Sequence, residues 1–335
     1  MTVSELTERE LIARIRGRLA PPPAWLRIGI GDDAAVIEPS RNRFDVLTVD
    51  AIVEGIHFDR RFTPPDAIGH RALAVNLSDL AAMGAEPKMA LLSMALPDAL
   101  SCDDFDRMVE GLAAVAQKHQ IHVVGGNLTK SPGPLMLDVT AIGTVKPRSA
   151  LTRSGARAKD ELYVTGTIGG AAAGLQSLSE AATDRFASMD ACVRHYLYPE
   201  PRVRTGLLVG RSRSASACMD LSDGLADALR QVADASRVGV NVDGDTLPIE
   251  PGARDWFESH GANPLLASMS ASDDYELLLA VPPRRRRSFL AAVRRGGVAV
   301  TRIGVCTSEP GLQLHGATVD VSSGAAFPHG FSHFR

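Results

Sequence analysis

The sequence predicts a two-domain α/β chain, and three observations carry that expectation. Short apolar runs of strand type alternate with helical patterns from end to end. A polar stretch rich in Arg, Ser and Gly, residues 146–159, breaks the alternation near the middle. A length of 335 residues suits two domains at about 150 residues each. The expected division is an N-terminal α/β domain over 1–148 and a C-terminal α/β domain over 149–335.

The elements follow in order. Leu6, Leu11, Ile12, Ile15 and Leu19 recur at helical spacing until Pro21-Pro22-Pro23 stops them. Phe44 to Val49 reads as a strand leading into Asp50. Pro64-Pro65-Asp66 opens a helix that runs to a Gly84 stop. Met89 to Leu96 is a buried strand, Asp103 to Gln120 an amphipathic helix, and Ile121 to Val124 a short strand ending at Gly125-Gly126. Leu135 to Val145 closes the first half as a strand. The second half predicts strand 162–165, a small-residue helix from Gly170 and a helix after Pro201. Strand 217–219, helix 224–235 and strand 238–242 follow. Strand 275–281, helix 287–295 and strand 298–305 complete it.

Composition removes several function classes. The net charge of −3 and the 22% of charged residues are ordinary globular values. The basic run Arg284 to Arg287 has no interleaved aromatics, so no nucleic-acid partner is expected. No apolar stretch reaches the roughly 18 residues of a membrane span, and the polar N-terminus is no signal peptide. Cys102, Cys192, Cys218 and Cys306 stand far apart with no CxxC pair, which argues against a disulfide framework or zinc site and fits the cytoplasm.

The chemistry is in the aspartates. Asp32 and Asp33 sit in a glycine turn (29–34), Asp50 ends a strand, and Asp79 lies in an otherwise apolar helix. Asp220 and Asp223 bracket a strand-to-helix junction, and Asp273-Asp274 precede a strand. Singly, each reads as a turn, cap or ion-pair residue, and Asp223 as a helix cap. Together, Asp33, Asp50, Asp79, Asp220 and Asp223 suit hard divalent cations such as Mg²⁺, which take oxygen ligands and share them with substrate phosphates. The glycine turn also fits GxGxxA, but two aspartates would repel a pyrophosphate there, so a dinucleotide fingerprint is rejected. P-loop, protein-kinase, serine-hydrolase and HExxH motifs are absent from the sequence. Gly125 to Thr129 reads either as a loop or as a nest whose backbone N–H groups meet an anion. Arg153 is either a solvated arginine or a phosphate clamp. His57 alone reads as structural.

Eight segments then point one way: GIGDDAAVI (29–37), TVDAIVEGIHF (48–58), ALAVNLSDLAAMGAEP (72–87), VVGGNLTKSP (123–132), LTRSGA (151–156), YVTGTIG (163–169), MDLSDGL (219–225) and DDYEL (273–277). On these segments the chain resembles the thiamine-monophosphate kinases, members of the aminoimidazole-ribonucleotide-synthetase-like superfamily. The resemblance implies ATP-dependent phosphorylation of thiamine monophosphate to thiamine diphosphate, the last step in making that cofactor, with several Mg²⁺ ions. It also implies a homodimer paired through the N-terminal sheet. The N-terminal domain would serve metal, ATP and dimerisation, and the C-terminal domain would complete the nucleotide and substrate sites.

By resemblance, the metal positions fall on Asp33, Thr48, Asp50, Asp79, Asn127, Asp220 and Asp223, with Asp32 a further candidate. The nucleotide positions fall on Gly126, Asn127, Arg153 and Ser222, and the substrate positions on His57, Asp273 and Phe331. Three departures stand out. Asn127 replaces the Asp of many relatives and loses a charge. The family's SGGEDYEL reads 270–277 SASDDYEL here, which shortens a Glu to Asp273. The family's Ser-Thr-Asp reads Thr48-Val49-Asp50, which removes a side-chain ligand at 49. The acceptor is already a phosphate and is largely ionised at neutral pH, so in-line transfer without a general base or phospho-enzyme is expected. Two rivals remain. Another enzyme of the superfamily is the first: a selenophosphate synthetase should carry a reactive Cys near the N-terminus, where the first here is Cys102, and an aminoimidazole-ribonucleotide synthetase should lack the GIGDDAAVI and DDYEL arrangement; a hydrogenase-maturation dehydratase is the third relative. A binding protein without turnover would lack the carboxylates.

Overall fold

The computed structural model describes residues 1–180, 189–316 and 327–331. The chain divides into two compact units, Met1–Leu80 with Glu86–Pro147, and Ala81–Ala85 with Arg148–Arg335. The change between Pro147 and Arg148 lies inside the polar stretch. Residues 81–85 group with the second unit, although the sequence reading kept them in the first domain.

The first unit opens with α1 (Glu8–Arg18), started by a capping box. The Thr7 hydroxyl accepts from the Glu10 N–H, and the Glu10 carboxylate accepts from the Thr7 N–H. A short ladder of β1 (Leu26–Ile28) and β2 (Val36–Ile37) follows, with the double-aspartate turn between its strands. Next come β3 (Phe44–Val53), α2 (Pro65–Ala82), β4 (Glu86–Pro97), α3 (Cys102–His119), β5 (His122–Ser131) and β6 (Met136–Val145). They form a four-stranded sheet in the order β3-β6-β4-β5, antiparallel except for the β4–β5 pair.

The helices approach each other backbone to backbone. A Cβ on Gly69 would stand 1.8 Å from the Met108 carbonyl oxygen, and one on Gly111 would stand 2.0 Å from that of Asp66. Only glycine permits that approach. Alternation along β4 buries Ala90, Leu92, Met94 and Leu96. The other face carries Leu47, 68% exposed, and Val49, 58% exposed, with Leu91 also open.

The second unit contains β7 (Glu161–Thr165), α4 (Gly170–Ser179), α5 (Met189–Leu197), α6 (Val203–Ser212), β8 (Ala217–Asp220), α7 (Leu225–Ser236) and β9 (Gly239–Asp243). It continues with α8 (Pro251–Ser259), α9 (Pro264–Ser270), β10 (Leu277–Val281), α10 (Arg286–Gly296), β11 (Val300–Thr307) and β12 (Leu312–His315). Its six-stranded sheet runs β12-β9-β11-β7-β10-β8 among the described residues, antiparallel except for β12 on β9. Every residue of β7 and β10 is buried. Leu225, Leu229, Val232, Trp256 and Phe257 pack against that core.

One correction follows. Strand β5 does not stop at Gly125-Gly126 but runs on to Ser131, past a register shift opposite Ala90 and Leu91. The nest reading of that segment therefore gives way to a bulged strand. Among the described residues no helix is long and apolar enough to cross a membrane.

Candidate active site

In the first unit, Thr48 and Asp50 lie two residues apart on β3, so both face the same way, while Val49 points out of the opposite face and is exposed. The strand alternation directs any side chain at 49 away from its two neighbours, so the Val replacement removes nothing from the Thr48–Asp50 side. On that side the Thr48 hydroxyl donates to Asp79 Oδ2 of α2. One turn earlier, Asn76 Oδ1 accepts from the Asp50 N–H at 3.1 Å, and Asn76 Nδ2 donates to the Ala72 carbonyl at 3.0 Å. Asn76 is fully buried and fixes α2 against β3, a role that the sequence reading did not assign.

The sheet register places Asp50, Val139, Leu92 and Gly126 in one row across all four strands. Gly126 belongs there for steric reasons: its φ is +157°, and a Cβ would sit 1.7 Å from the Leu92 carbonyl oxygen. Asn127 is exposed and pairs one row further on, opposite Ser93, so alternation turns its side chain from the Asp50 face. Asp32 and Asp33 are exposed in their turn, where Asp32 Oδ1 accepts from the Asp33 N–H at 2.9 Å. His57 lies in the turn after β3. Its Nδ1 accepts from the Val53 N–H at 3.1 Å, which assigns the ring proton to Nε2.

In the second unit, backbone bonds gather the assigned residues. Asp220, buried, ends β8 opposite Leu277. The Leu221 N–H donates to the Glu276 carbonyl at 2.8 Å, and the Tyr275 N–H donates to the Leu221 carbonyl at 3.0 Å. The Asp273 N–H donates to the Ser222 carbonyl at 2.8 Å, and the Phe331 N–H to the Asp223 carbonyl at 3.1 Å. Ser222, Asp223, Asp273 and Phe331 thus meet at one turn. Helix α7 takes Gly224 as N-cap with no side-chain cap bond, so Asp223 is not its cap. Arg153 is exposed and donates to Gln231 Oε1 at 2.6 Å, while Gln231 donates to Asp227 at 2.5 Å.

The sequence reading gave Asp274 no role, and it is buried. Its Oδ2 accepts from the Gly169 N–H at 2.7 Å and its Oδ1 from the Ala171 N–H at 3.2 Å. It supplies the cap that Gly169, at the head of α4, has no side chain to provide. Burial pushes its pKa well above the ordinary carboxylate range, against the two backbone donors that pull it down. Glu276 is also fully buried and is gripped by Arg202 and by the Thr165 hydroxyl at 2.6 Å.

The assigned carboxylates therefore stand in two sets, one in each unit. Among the described residues no group of three or more His, Cys, Asp or Glu could hold a metal ion. The donors in each set are hydroxyl and carboxylate oxygens, which is the ligand chemistry of Mg²⁺ rather than of zinc or copper.

Comparison with known proteins places both halves of the chain in one family. Residues 31–145 match the AIR synthase related protein N-terminal domain, and residues 157–317 match the C-terminal domain of the same family. The thiamine-monophosphate kinase of Rhodopirellula baltica is 35% identical over 334 residues, covering 97% of each chain. A crystal structure of thiamine-monophosphate kinase from Stenotrophomonas maltophilia superposes with a TM-score of 0.83 at 36% identity, covering 94% of this chain and 98% of that one. A structure of AaThiL complexed with AMPPCP and TMP gives a TM-score of 0.76 at 30% identity, covering 100% and 99%. With both domains matched and full-length relatives at this identity, the chain belongs to the thiamine-monophosphate kinase family of AIR synthase related proteins.

Proposed function

We propose that this kinase moves the γ-phosphoryl group of ATP onto thiamine monophosphate, giving ADP and thiamine diphosphate by direct in-line transfer. The observation that carries the reading is the turn at 221–224. It ties Asp273, Ser222, Asp223 and Phe331 together, one residue or more from each of the substrate, nucleotide and metal sets.

The acceptor phosphate has a second pKa of about 6, so it arrives as a nucleophile and no side chain has to deprotonate it. The task left to the protein is alignment and relief of repulsion between two polyanions. Thr48, Asp50, Asp79 and Asp33 in the first unit, and Asp220 and Asp223 in the second, would hold Mg²⁺, while Asn127, turned from the Asp50 face, is left to the nucleotide. When bound, Mg²⁺ supplies the positive charge that offsets the phosphates. Gly126 brings bare backbone toward the nucleotide, and Arg153, held by Gln231, offers a guanidinium fork to its phosphates. Ser222, in the second unit with Arg153, is also assigned to the nucleotide. His57 presents Nε2–H to the acceptor. Asp273 provides negative charge for the cationic thiazolium, and Phe331, 49% exposed, provides a stacking face.

The open apolar face of the first sheet, with Leu47, Val49 and Leu91, is the surface we assign to a homodimer through the same sheet of a second copy. The free, buried thiols suit the cytoplasm. The test is ADP release with ATP and Mg²⁺ in the presence of thiamine monophosphate, thiamine or no acceptor, with the product identified by mass. Thiamine diphosphate formed only from the monophosphate is the expected result. ATP binding without acceptor-dependent ADP would overturn the reading.

A further inference from the structure

Two residues of the turn Asp273-Asp274-Tyr275 adopt a backbone that ordinary side chains avoid. Asp273 has φ +69° and Tyr275 has φ +49°, with no glycine in the turn. Such a conformation persists only where its surroundings over-determine it, and such turns cluster at ligand sites.

Each of the three residues is pinned. The Asp273 N–H is held by the Ser222 carbonyl, and the Tyr275 N–H by the Leu221 carbonyl. Between them the buried Asp274 carboxylate locks onto the first N–H groups of α4. This folding turns the largely buried Tyr275 ring back along its own chain, so its hydroxyl reaches Asp273 Oδ1 at 3.1 Å. The Asp273 side chain is only half-buried. A hydrogen bond from Tyr275 narrows the rotamers open to this carboxylate, and so the positions open to its charge.

We propose that Tyr275 is a positioning residue for the acceptor site: its hydroxyl fixes the Asp273 carboxylate in the orientation that meets the substrate, on a turn that Asp274 anchors to α4. The proposal rests on the reading of Asp273 as a substrate contact. It also gives the shortened side chain at 273 a physical sense. An Asp reaches one methylene less far than the family's Glu, and a fixed bond from Tyr275 defines where that shorter arm ends.

The test is steady-state kinetics on Tyr275→Phe, Asp273→Ala and the double variant, with thermal unfolding as the check on folding. Tyr275→Phe removes one oxygen and keeps the buried ring. It is expected to raise KM for thiamine monophosphate by about fivefold, with kcat and KM for ATP within about twofold. Asp273→Ala is expected to raise the same KM further, and adding Tyr275→Phe to it is expected to change nothing more. If Tyr275→Phe leaves the acceptor KM unchanged while Asp273→Ala raises it, the positioning role is wrong and the substrate reading stands. If Tyr275→Phe raises both KM values together with a lower melting point, the hydroxyl is merely structural and the proposal fails. If Asp273→Ala itself leaves the acceptor KM unchanged in an active enzyme, the substrate reading falls and the proposal with it.

Discussion

Replacing Glu276 by Gln should be one of the most damaging single-atom changes in the second unit. The carboxylate is fully buried on the residue just before β10. Oε2 accepts from the Thr165 hydroxyl at 2.6 Å and from Arg202 Nε at 2.7 Å, and Arg202 Nη2 donates to Oε1. The Thr165 hydroxyl also accepts from the Leu277 N–H at 2.8 Å, so the network braces β7 against β10. The Arg202 side chain is only 19% exposed. Glutamine keeps the shape, but its amide NH₂ faces a donor, and the Arg202 charge loses its hydrogen-bonded counter-ion and keeps only the weaker attraction of Glu200. Breaking a buried pair in this way costs about 3 kcal/mol. In a domain of about 150–250 residues each kcal/mol is worth about 2–4 °C, so the melting point should fall by about 6–12 °C.

Thermal unfolding followed by circular dichroism reads this directly. A companion variant separates charge burial from lost packing: adding Arg202→Met to Glu276→Gln removes the stranded charge and should restore about half of the loss. A single variant melting within about 2 °C of the wild type would refute the reasoning. So would a double variant no better than the single one.

Other outcomes can be checked separately. Asp50→Ala should lower kcat by about 100-fold or more at saturating Mg²⁺ while the melting point stays within about 2 °C, because the Asn76 bond to its backbone survives; near-normal turnover would remove Asp50 from the metal set. Gly126→Ala should cost about 2 kcal/mol or more in urea unfolding, since its Cβ would lie 1.7 Å from the Leu92 oxygen. The four cysteines are buried, and burial pushes Cys192 and Cys306 up to about 12 and Cys218 higher still, so a disulfide reagent should titrate no thiol in native protein and all four after denaturation. The Arg286 hydrogen bond holds Glu161 below its ordinary pKa, against the opposing effect of burial. The folded state therefore binds that proton less tightly than the unfolded state. Its stability contribution is present above the ordinary glutamate range and fades as pH falls through the depressed value. Arg286→Gln should narrow the gap in urea midpoint between neutral pH and about pH 3.5.

Much of the fold was legible because burial writes a period into the sequence. The strand at Phe44 and the helices from Pro65 and Asp103 appear within a few residues of their expected bounds. The elements that escaped are short or weakly patterned: α8 and α9 have 9 and 7 residues and open on prolines that also read as turns. Strand β5 escaped because glycine normally ends a strand. Here the register shift and the bare backbone of Gly126 let it continue against β4. The candidate site was legible as a set of misplaced aspartates, but its supports were not. Asp274 carried two signals: an acidic residue just ahead of an entirely apolar strand, and a helix beginning Gly169-Gly170 with no capping side chain of its own. A missing local cap has to be supplied from elsewhere, and the nearby buried carboxylate is the natural source.

The echo between Leu77-Ser78-Asp79-Leu80 and Leu221-Ser222-Asp223-Gly224 shows how far four letters determine structure. The first tetrad lies inside α2, where leucines three apart share the buried face and Asp79 projects toward Thr48. The second is a turn, and the one letter that differs explains why. Gly224 adopts φ +96°, and a Cβ there would come within 2.6 Å of the Ala271 carbonyl oxygen. Leucine at that point would be barred twice, by its backbone conformation and by the loop that leads to Asp273. The glycine breaks the helical course after Asp223, and the carbonyls of Leu221, Ser222 and Asp223 then face outward instead of bonding along a helix. Those carbonyls accept from Tyr275, Asp273 and Phe331. The same Ser-Asp pair thus delivers one carboxylate from a helix in the first unit. In the second unit a single glycine turns it into the hub on which the assigned substrate residues hang.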